Sequence, residues 1–198
     1  MCRFLETIKC KDGELFNLRF HQDRLNLVRK ENFGITDEII LEETIKIPEK
    51  CNSGLFRCRI TYSGKIEKIE FLPHHYRQIK SLKLVEDDQI DYHYKFADRQ
   101  HLEKLFECRG DSDDILIVKK GCVTDSFTAN VIFFDGSRWW TSDTPLLAGT
   151  MRAKLLAEGK ISACRITADD LGKYLFAGLI NAMQDIDDMP VIAIDCIR

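Results

Sequence analysis

A glycine-containing loop that leads into a predicted helix has the residue types needed to bind an anion. The loop is Leu147-Ala-Gly149, and the helix is expected to begin at Thr150 and to end before Gly159. Backbone N–H groups in the first turn of a helix lack partners within it, and beside a glycine they form a site suited to phosphate. Any glycine before a helix gives this pattern, so the loop alone leaves open whether an anion binds there.

Two arginines form a second candidate group. Arg57 and Arg59 are separated by one residue in a predicted strand, so their side chains lie on the same face of that strand. Such a pair is typical of a solvated strand face and also of a binding-site wall. The residue pattern by itself leaves both interpretations open.

The cysteines and histidines do not predict a metal site. The chain has eight cysteines without a C-x-x-C pair, and no Cys/His cluster has the spacing of a zinc site. The cysteines are at positions 2, 10, 51, 58, 108, 122, 164 and 196. His74 and His75 are adjacent, so on an extended strand they point to opposite faces and cannot easily share a metal ion. We expect scattered, reduced cysteines and no metal.

The elements that must position these residues begin with an antiparallel pattern. In the first half, Asp12-Gly13 predicts a type I′ hairpin turn, Gly34 the end of a helix, and Pro73 the end of a strand. The predicted strands are 3–9, 14–20, 55–62 and 66–72, and the predicted helices are 23–33 and 38–46. The first half therefore packs two helices on antiparallel strands.

The second half is also mixed. Helical spacing predicts helices at 98–109 and 150–158, and Thr167–Asp170 is typical of a helix N-terminal cap. Predicted strands are 115–118, 123–127 and 130–134, followed by Trp139-Trp140. The acidic stretch 86–92 is the candidate boundary, so we predict an N-terminal lobe at 1–88 and a C-terminal lobe at 89–198. The fold class is α+β or α/β in two lobes.

Composition and charge narrow the class of protein. Of the 198 residues, 44% are hydrophobic and 31% are charged, with a net charge of −3 and interspersed signs. This composition excludes a disordered chain and gives no basic patch for nucleic acid or an anionic membrane. The apolar runs are too short to span a membrane, and the charged N-terminus does not resemble a signal peptide, so we expect a cytoplasmic protein. Walker, G-x-G-x-x-G, H-E-x-x-H and G-x-S-x-G motifs are missing from the sequence.

Several distant segments together resemble one enzyme family. Phe4–Ile8, Asp12-Gly13 and His21-Gln-Asp-Arg24-Leu25 are similar to the N-terminal half of class IV aminotransferases, the fold-type IV pyridoxal-phosphate enzymes. Tyr94–Arg99 resembles the lysine segment of that family. Gly121–Phe133 resembles its G-x-[VI]-[ST]-E-x4-N-[LI]-F stretch, and Leu147–Arg152 resembles its phosphate loop. The order and spacing agree over nearly the whole chain.

The resemblance implies a two-lobed fold, a cofactor and a catalytic lysine. A small N-terminal α/β lobe would precede a larger C-terminal mixed β lobe that carries Lys95. Lys95 would bind pyridoxal 5′-phosphate and move the proton at the substrate Cα. A lysine suits both tasks because desolvation can lower its pKa toward neutrality. The family also implies a homodimer with a small-molecule substrate that carries amino and carboxylate groups.

Further cofactor contacts follow from the resemblance position by position. Arg24 would bind the cofactor phosphate, together with the backbone N–H groups of Thr150 and Met151, and Asn181 lies where the family has another polar residue on the phosphate side. Asp125 stands where the family usually has a glutamate facing the pyridine nitrogen. Because aspartate is one methylene shorter, this contact would need a ring shift or a bridging water, or would be weaker.

The substrate side and the reaction rest on fewer residues. Thr7, Arg57 and Arg59 would line the substrate pocket, and the two arginines could bind a substrate carboxylate. Thr7 and Asn181-Ala-Met183 are typical of the lyase members, which favours 4-amino-4-deoxychorismate lyase, an enzyme that releases pyruvate and gives 4-aminobenzoate for folate synthesis. A branched-chain or D-amino acid transaminase is the alternative. Family segments expected at both ends are missing from the pattern, which leaves a non-catalytic dimeric member as a third hypothesis.

Overall fold

The computed structural model describes residues 2–198, whose contacts divide the chain into two compact units. The first unit runs to Tyr76 and also includes Tyr94–Asp98, and the second contains Arg77–His93 and Arg99–Arg198. Each unit combines helices with a β-sheet, so the predicted mixed α/β class is confirmed. No helix of residues 2–198 is both long and apolar enough to cross a membrane.

The first unit is a four-stranded antiparallel sheet with one long helix on it. Its elements are β1 (Phe4–Lys11), β2 (Glu14–Leu15), α1 (Leu18–Phe33), α2 (Leu41–Thr44), β3 (Leu55–Tyr62) and β4 (Ile66–Pro73). The strand order is β2-β1-β3-β4. The predicted β3–β4 hairpin and the end of α1 at Gly34, which has a φ of 66°, are confirmed.

The first turn follows the prediction, but the strand after it is shorter than predicted. Asp12 and Gly13 both have positive φ angles of 50° and 82°, as a type I′ turn requires. Asn17, with a φ of 59°, then leaves the extended conformation, so α1 begins at Leu18 rather than near Asp23. The predicted helix at 38–46 is reduced to the single turn of α2.

Alternation along β1 decides which side chains enter the core of the first unit. Phe4, Glu6 and Ile8 are buried on the face that packs against α1, where Leu25 belongs to the same apolar cluster. The side chain of Thr7 lies on the opposite face, because successive residues of a strand point to opposite sides. An acidic residue therefore stands in a row that is otherwise apolar.

The segment around Lys95 belongs to the first unit. The Leu5 N–H donates to the Lys95 carbonyl and the Ala97 N–H donates to the Arg3 carbonyl, both at 2.8 Å. The Phe96 ring lies against Phe4 with their centroids 5.4 Å apart. This arrangement differs from the predicted boundary after residue 88, which assigned Lys95 to the C-terminal lobe. Pairing with β1 outweighs the change in composition on which that boundary was based.

The second unit contains a mixed sheet, with eight strands in the part of the chain that the structure describes. Its elements are β5 (Leu82–Glu86), α3 (Gln100–Glu107), β6 (Asp114–Lys119), β7 (Cys122–Ser126), β8 (Asn130–Phe134), β9 (Trp139–Ser142), α4 (Thr150–Ala157), β10 (Ile161–Cys164), β11 (Phe176–Ile180) and β12 (Val191–Ala193). The order is β10-β9-β8-β7-β6-β5, and β11 joins β8 to β12. The helices α3 and α4 and the strands β6 to β9 were predicted.

The helix α4 has the ends that the sequence indicated. Gly149 precedes it in an extended conformation with a φ of −70° and a ψ of 141°, and Gly159 ends it with a φ of 67°. The predicted cap at Thr167 is also present, where Thr167 and Asp170 form a capping box on a short 3-10 helix.

Candidate active site

A buried acid in the first unit holds two basic side chains of α1. The Nε and Nη2 of Arg24 donate to the two carboxylate oxygens of Glu6 at 2.8 and 2.7 Å, and the Nδ1 of His21 lies 2.5 Å from Oε2. His21 and Arg24 are three residues apart, so they share one face of the helix. The Arg24 side chain is only 12% exposed, so it is a largely buried partner of Glu6 and not a solvated helix arginine.

Charge determines the protonation of this cluster. Burial alone raises the pKa of Glu6, but the Arg24 guanidinium and the His21 hydrogen bond outweigh burial and lower it to about 2. Burial lowers the pKa of His21; the Glu6 carboxylate raises it, and the positive charges of Arg24 and Lys95 lower it further. We therefore assign an ionised Glu6, which fixes the fork of Arg24, and a neutral His21 whose Nδ1 proton faces the carboxylate.

Lys95 is half-buried and close enough to this cluster for its charge to act on His21. Its backbone is held by hydrogen bonds on both sides, since its own carbonyl accepts from Leu5 of β1 and the Ala97 N–H donates to Arg3, the residue before β1. The Lys95 side chain is therefore attached to a backbone position that is fixed next to the first sheet.

The opposite face of the same sheet is rich in positive charge. Thr7 pairs directly with Arg59, and Lys9 pairs directly with Arg57, which places all four side chains on one face. Both arginines are exposed, and within residues 2–198 neither guanidinium forms a hydrogen bond or an ion pair. The pKa of His74 is lowered by burial and then by the nearby charge of Arg57. This face can bind carboxylates.

In the second unit, Asp125 and Asn130 hold the loop before α4. The two residues pair across β7 and β8, and both are buried. The Asn130 Nδ2 donates to Asp125 Oδ1 and to the Leu147 carbonyl, both at 2.9 Å. The Leu147 N–H donates to Asp125 Oδ2, also at 2.9 Å. Asp125 is thus a buried acid with a hydrogen-bond partner at each of its carboxylate oxygens.

The Asp125 carboxyl is poised to hold or release a proton near neutral pH. Burial raises its pKa to about 6, although the Leu147 N–H, the Asn130 amide and the charge of Arg152 all act to lower it. Arg152 is itself anchored, with Nε donating to Thr141 Oγ1 at 3.1 Å and Nη2 donating to the Ser142 carbonyl at 2.9 Å.

The first turn of α4 lies directly after this loop. Thr150 and Met151 are buried, at 4% and 5% exposure, and their N–H groups belong to the turn that has no acceptors within the helix. A Cβ built on Gly149 would fall on the side-chain oxygen of Asn130, so only glycine fits there. The start of α4 therefore stays a candidate anion site.

Asn181 follows β11 and shapes a turn. Its N–H donates to the Gln184 carbonyl at 3.0 Å, and its Oδ1 accepts from the Met183 N–H at 2.8 Å. Asn181 is therefore a half-buried turn residue, neither a helix cap nor part of the core.

Within each unit, some of the predicted site residues lie close together. Arg24 and Lys95 lie at one cluster of the first unit, and Asp125, Thr150 and Met151 lie around one loop of the second. Sequence reasoning did not assign roles to four further residues of these clusters, which are Glu6, His21, Asn130 and Arg152. The available sequence signal was Glu6, an acidic residue among the apolar residues on one face of β1. A buried acid needs a cation, so this residue indicates a basic partner nearby. Within residues 2–198, no group of three or more His, Cys, Asp or Glu side chains could hold a metal ion.

Comparisons with known proteins cover almost the entire chain. The family model of class IV amino-transferases matches residues 3–193. A Haemophilus influenzae protein, described only as uncharacterized, is 36% identical over 188 residues, which are 94% of this chain and 100% of that protein.

Two solved structures extend the comparison to the fold. A proposed 4-amino-4-deoxychorismate lyase from Haemophilus somnus 129pt is 34% identical with a TM-score of 0.87, covering 94% of this chain and 98% of that one. A hypothetical aminotransferase from Mycobacterium tuberculosis, in its pyridoxal-phosphate-bound form, is 15% identical with a TM-score of 0.77, covering 96% and 80%. At 15% identity, the comparison with the Mycobacterium tuberculosis protein shows a shared fold.

Proposed function

Because the chain belongs to the class IV aminotransferase family of enzymes, we propose that it is a pyridoxal-phosphate-dependent 4-amino-4-deoxychorismate lyase. The observation that carries this proposal is the 34% identity, over 94% of the chain, to the proposed lyase of that name. The reaction would release pyruvate and give 4-aminobenzoate.

The chemistry of the residues in each unit fits the proposed cofactor. The first unit offers the amine of Lys95 for an aldehyde and an oriented guanidinium on Arg24 for a phosphate. The second offers the N-terminus of α4 for a phosphate and the carboxyl of Asp125 for a pyridine nitrogen. Pyridoxal phosphate, when bound, supplies a sink for the electron pair left at the substrate Cα.

The roles of the side chains follow from this assignment. Lys95 would bind the cofactor and then take the proton from the substrate Cα and give it to the departing enolpyruvyl group, which leaves as pyruvate while the ring becomes aromatic. Glu6 keeps Arg24 charged and aimed, while Thr150 and Met151 offer backbone N–H groups to the phosphate. Asn181 is a further polar residue on the phosphate side. With a pKa of about 6, Asp125 can share a proton with the ring nitrogen.

Substrate recognition is assigned to the cationic face of the first sheet. Arg57 and Arg59 are exposed and on one face with Thr7, so they can bind the carboxylates of a dianionic substrate. An amino acid transaminase, branched-chain or D-specific, is the second candidate, supported by the fold likeness to a hypothetical aminotransferase. A non-catalytic family member is the third.

Assembly and location are also proposals. The family resemblance supports a homodimer. A cytoplasmic location is supported by the cysteines, because all eight are free thiols, which is typical of a reducing compartment.

The test begins with the visible absorption spectrum of the purified protein mixed with pyridoxal phosphate. We expect a yellow form that is lost in Lys95→Ala and retained in Lys30→Ala, an exposed lysine of α1. A wild-type protein that stays colourless with added cofactor refutes every enzyme assignment made here.

The reaction is then tested with substrates. Wild-type protein supplied with 4-amino-4-deoxychorismate should form pyruvate and 4-aminobenzoate in equal amounts. The same protein should not move amino groups between amino acids and keto acids at a comparable rate. Amino transfer without pyruvate release would replace the lyase by a transaminase.

A further inference from the structure

Both backbone polar groups of Leu147 are bound by side chains from a neighbouring strand pair. Its N–H donates to Asp125 Oδ2, and its carbonyl accepts from Asn130 Nδ2, each at 2.9 Å. The second hydrogen of the Asn130 amide is used by Asp125 Oδ1, also at 2.9 Å. Since an amide nitrogen has only two hydrogens, the Asn130 donor capacity is fully committed to this clamp.

Asn130 touches the loop at a second point. The place that a Cβ on Gly149 would take is filled by the Asn130 side-chain oxygen. Asn130 therefore contacts the loop at 147 through a hydrogen bond and at 149 through close packing. The next residue, Thr150, begins α4. The path of the chain into the helix is fixed immediately before the helix starts.

Asp125 cannot maintain this arrangement without Asn130. A carboxylate only accepts hydrogen bonds, so Asp125 binds the Leu147 N–H but not its carbonyl. Without the Asn130 amide, Asp125 Oδ1 and the Leu147 carbonyl would both be acceptors deprived of the same donor in a buried place. Unpaired buried acceptors are costly, and two of them repel each other, so the loop would move away.

We propose that Asn130 is a positioning residue that sets the affinity of the α4 N-terminus for a phosphate group, by clamping the loop that leads into the helix. The proposal rests on the proposed function, because that assigns the cofactor phosphate to this helix. Asn130 acts through the loop, and the ligand contacts are made by the backbone of residues that follow it. It therefore sets how much tighter a phosphorylated ligand binds than the same ligand without phosphate.

The test compares pyridoxine 5′-phosphate with pyridoxine, two ligands that lack the aldehyde and so bind independently of any bond to Lys95. The quantity measured is the ratio of the two Kd values by calorimetry. We expect Asn130→Ala to reduce the phosphate preference about tenfold, the effect of one lost buried hydrogen bond, while the Kd of pyridoxine stays nearly constant. Thr128→Ala, an exposed residue of the same β7–β8 turn, should leave the ratio unchanged.

A second variant and a ligand-free measurement complete the test. Asn130→Asp preserves shape but replaces the donor by a second carboxylate beside Asp125. Relative to wild type, its phosphate preference should be lost at pH 8 and partly recovered at pH 5, where the two carboxyls share a proton. Amide hydrogen exchange at Leu147 and Thr150 should accelerate in both variants without any ligand.

The results of these experiments distinguish the role of Asn130 from the proposed function. Unchanged Kd ratios in both variants, or unchanged exchange at Leu147, overturn the role of Asn130 and leave the proposed function standing. If wild-type protein binds neither ligand while Leu147 exchange still responds to Asn130, the cofactor assignment fails, and the selectivity role fails with it. A lower melting temperature with an unchanged ratio identifies Asn130 as merely structural and also refutes the proposal.

Discussion

Replacing Glu6 by glutamine tests the charge cluster of the first unit. The substitution preserves shape and removes the negative charge that Arg24 and His21 share. The Arg24 guanidinium is then left 12% exposed without its counter-ion, and one oxygen of the side chain becomes a donor facing other donors. Breaking a buried ion pair in this way costs about 3 to 5 kcal/mol.

The lowered pKa of Glu6 gives a similar free energy for this ion pair. A drop of the Glu6 pKa from 4.5 to about 2 corresponds to roughly 3 kcal/mol of stability. Because the pKa is lower in the folded state, this contribution is fully present above pH 4.5 and is lost as the pH falls toward 2. Glu6→Gln should therefore be about 3 kcal/mol less stable than wild type at pH 7, with a difference that shrinks as the pH approaches 2.

The assay must report on the first unit. Both tryptophans, Trp139 and Trp140, lie in β9 of the second unit, so their fluorescence follows the wrong part of the chain. Urea unfolding should be followed by far-ultraviolet circular dichroism and by amide exchange in β1. Glu67→Gln is the matched control, since it breaks an exposed ion pair with Arg3 and should cost less than about 1 kcal/mol. If Glu6→Gln costs no more than this control, or if its deficit does not depend on pH, the reasoning is refuted.

Three further predictions concern space, charge and accessibility. Gly149→Ala should lower the free energy of unfolding by about 1 to 3 kcal/mol, because the new methyl group meets the buried side-chain oxygen of Asn130. In Gly178→Ala the methyl group meets the flexible end of Met189, so the melting temperature should fall less than in Gly149→Ala. Arg57→Ala should raise the KM of an anionic substrate about tenfold with little change in kcat, as measured by steady-state kinetics; a lower kcat at constant KM would contradict a binding role. A thiol reagent should modify the exposed Cys108 in native protein but Cys58 only after unfolding, because Cys58 is buried with a pKa raised to about 12; rapid native reaction of Cys58 would contradict the structure.

Short sequence patterns correctly predicted the element ends that depend on neighbouring residues. Asp12-Gly13, Gly34 and Gly159 all adopt the positive φ angles that their positions required, so the ends of β1, α1 and α4 could be found from the sequence. Arg24 and Asp125 could be named because they belong to motifs with fixed spacing.

Contacts between distant residues account for what the sequence did not predict. The short strands β5, β10 and β12 are held by pairing with neighbours, and their own residues give little periodic signal. The clamp on Leu147 joins residues 22 apart in one bond and 17 apart in the other, so no local pattern encodes it. Lys95 was proposed from the family resemblance, but the attachment of its segment to β1 depends on hydrogen bonds between residues about 90 positions apart in the sequence, such as that from Leu5 to Lys95.

The return of residues 94–98 to β1 has a consequence for how the chain is made and divided. During synthesis, Phe4 has no partner for its ring on this side until Phe96 has left the ribosome, so the first unit is completed only after residues 77–93 of the second have been translated. A single cut after Tyr76 would yield a fragment that lacks Lys95, and a cut after Asp98 would carry part of the second unit with it. Exchanging one whole unit with that of a relative therefore requires three crossover points, after residues 76, 93 and 98, rather than one.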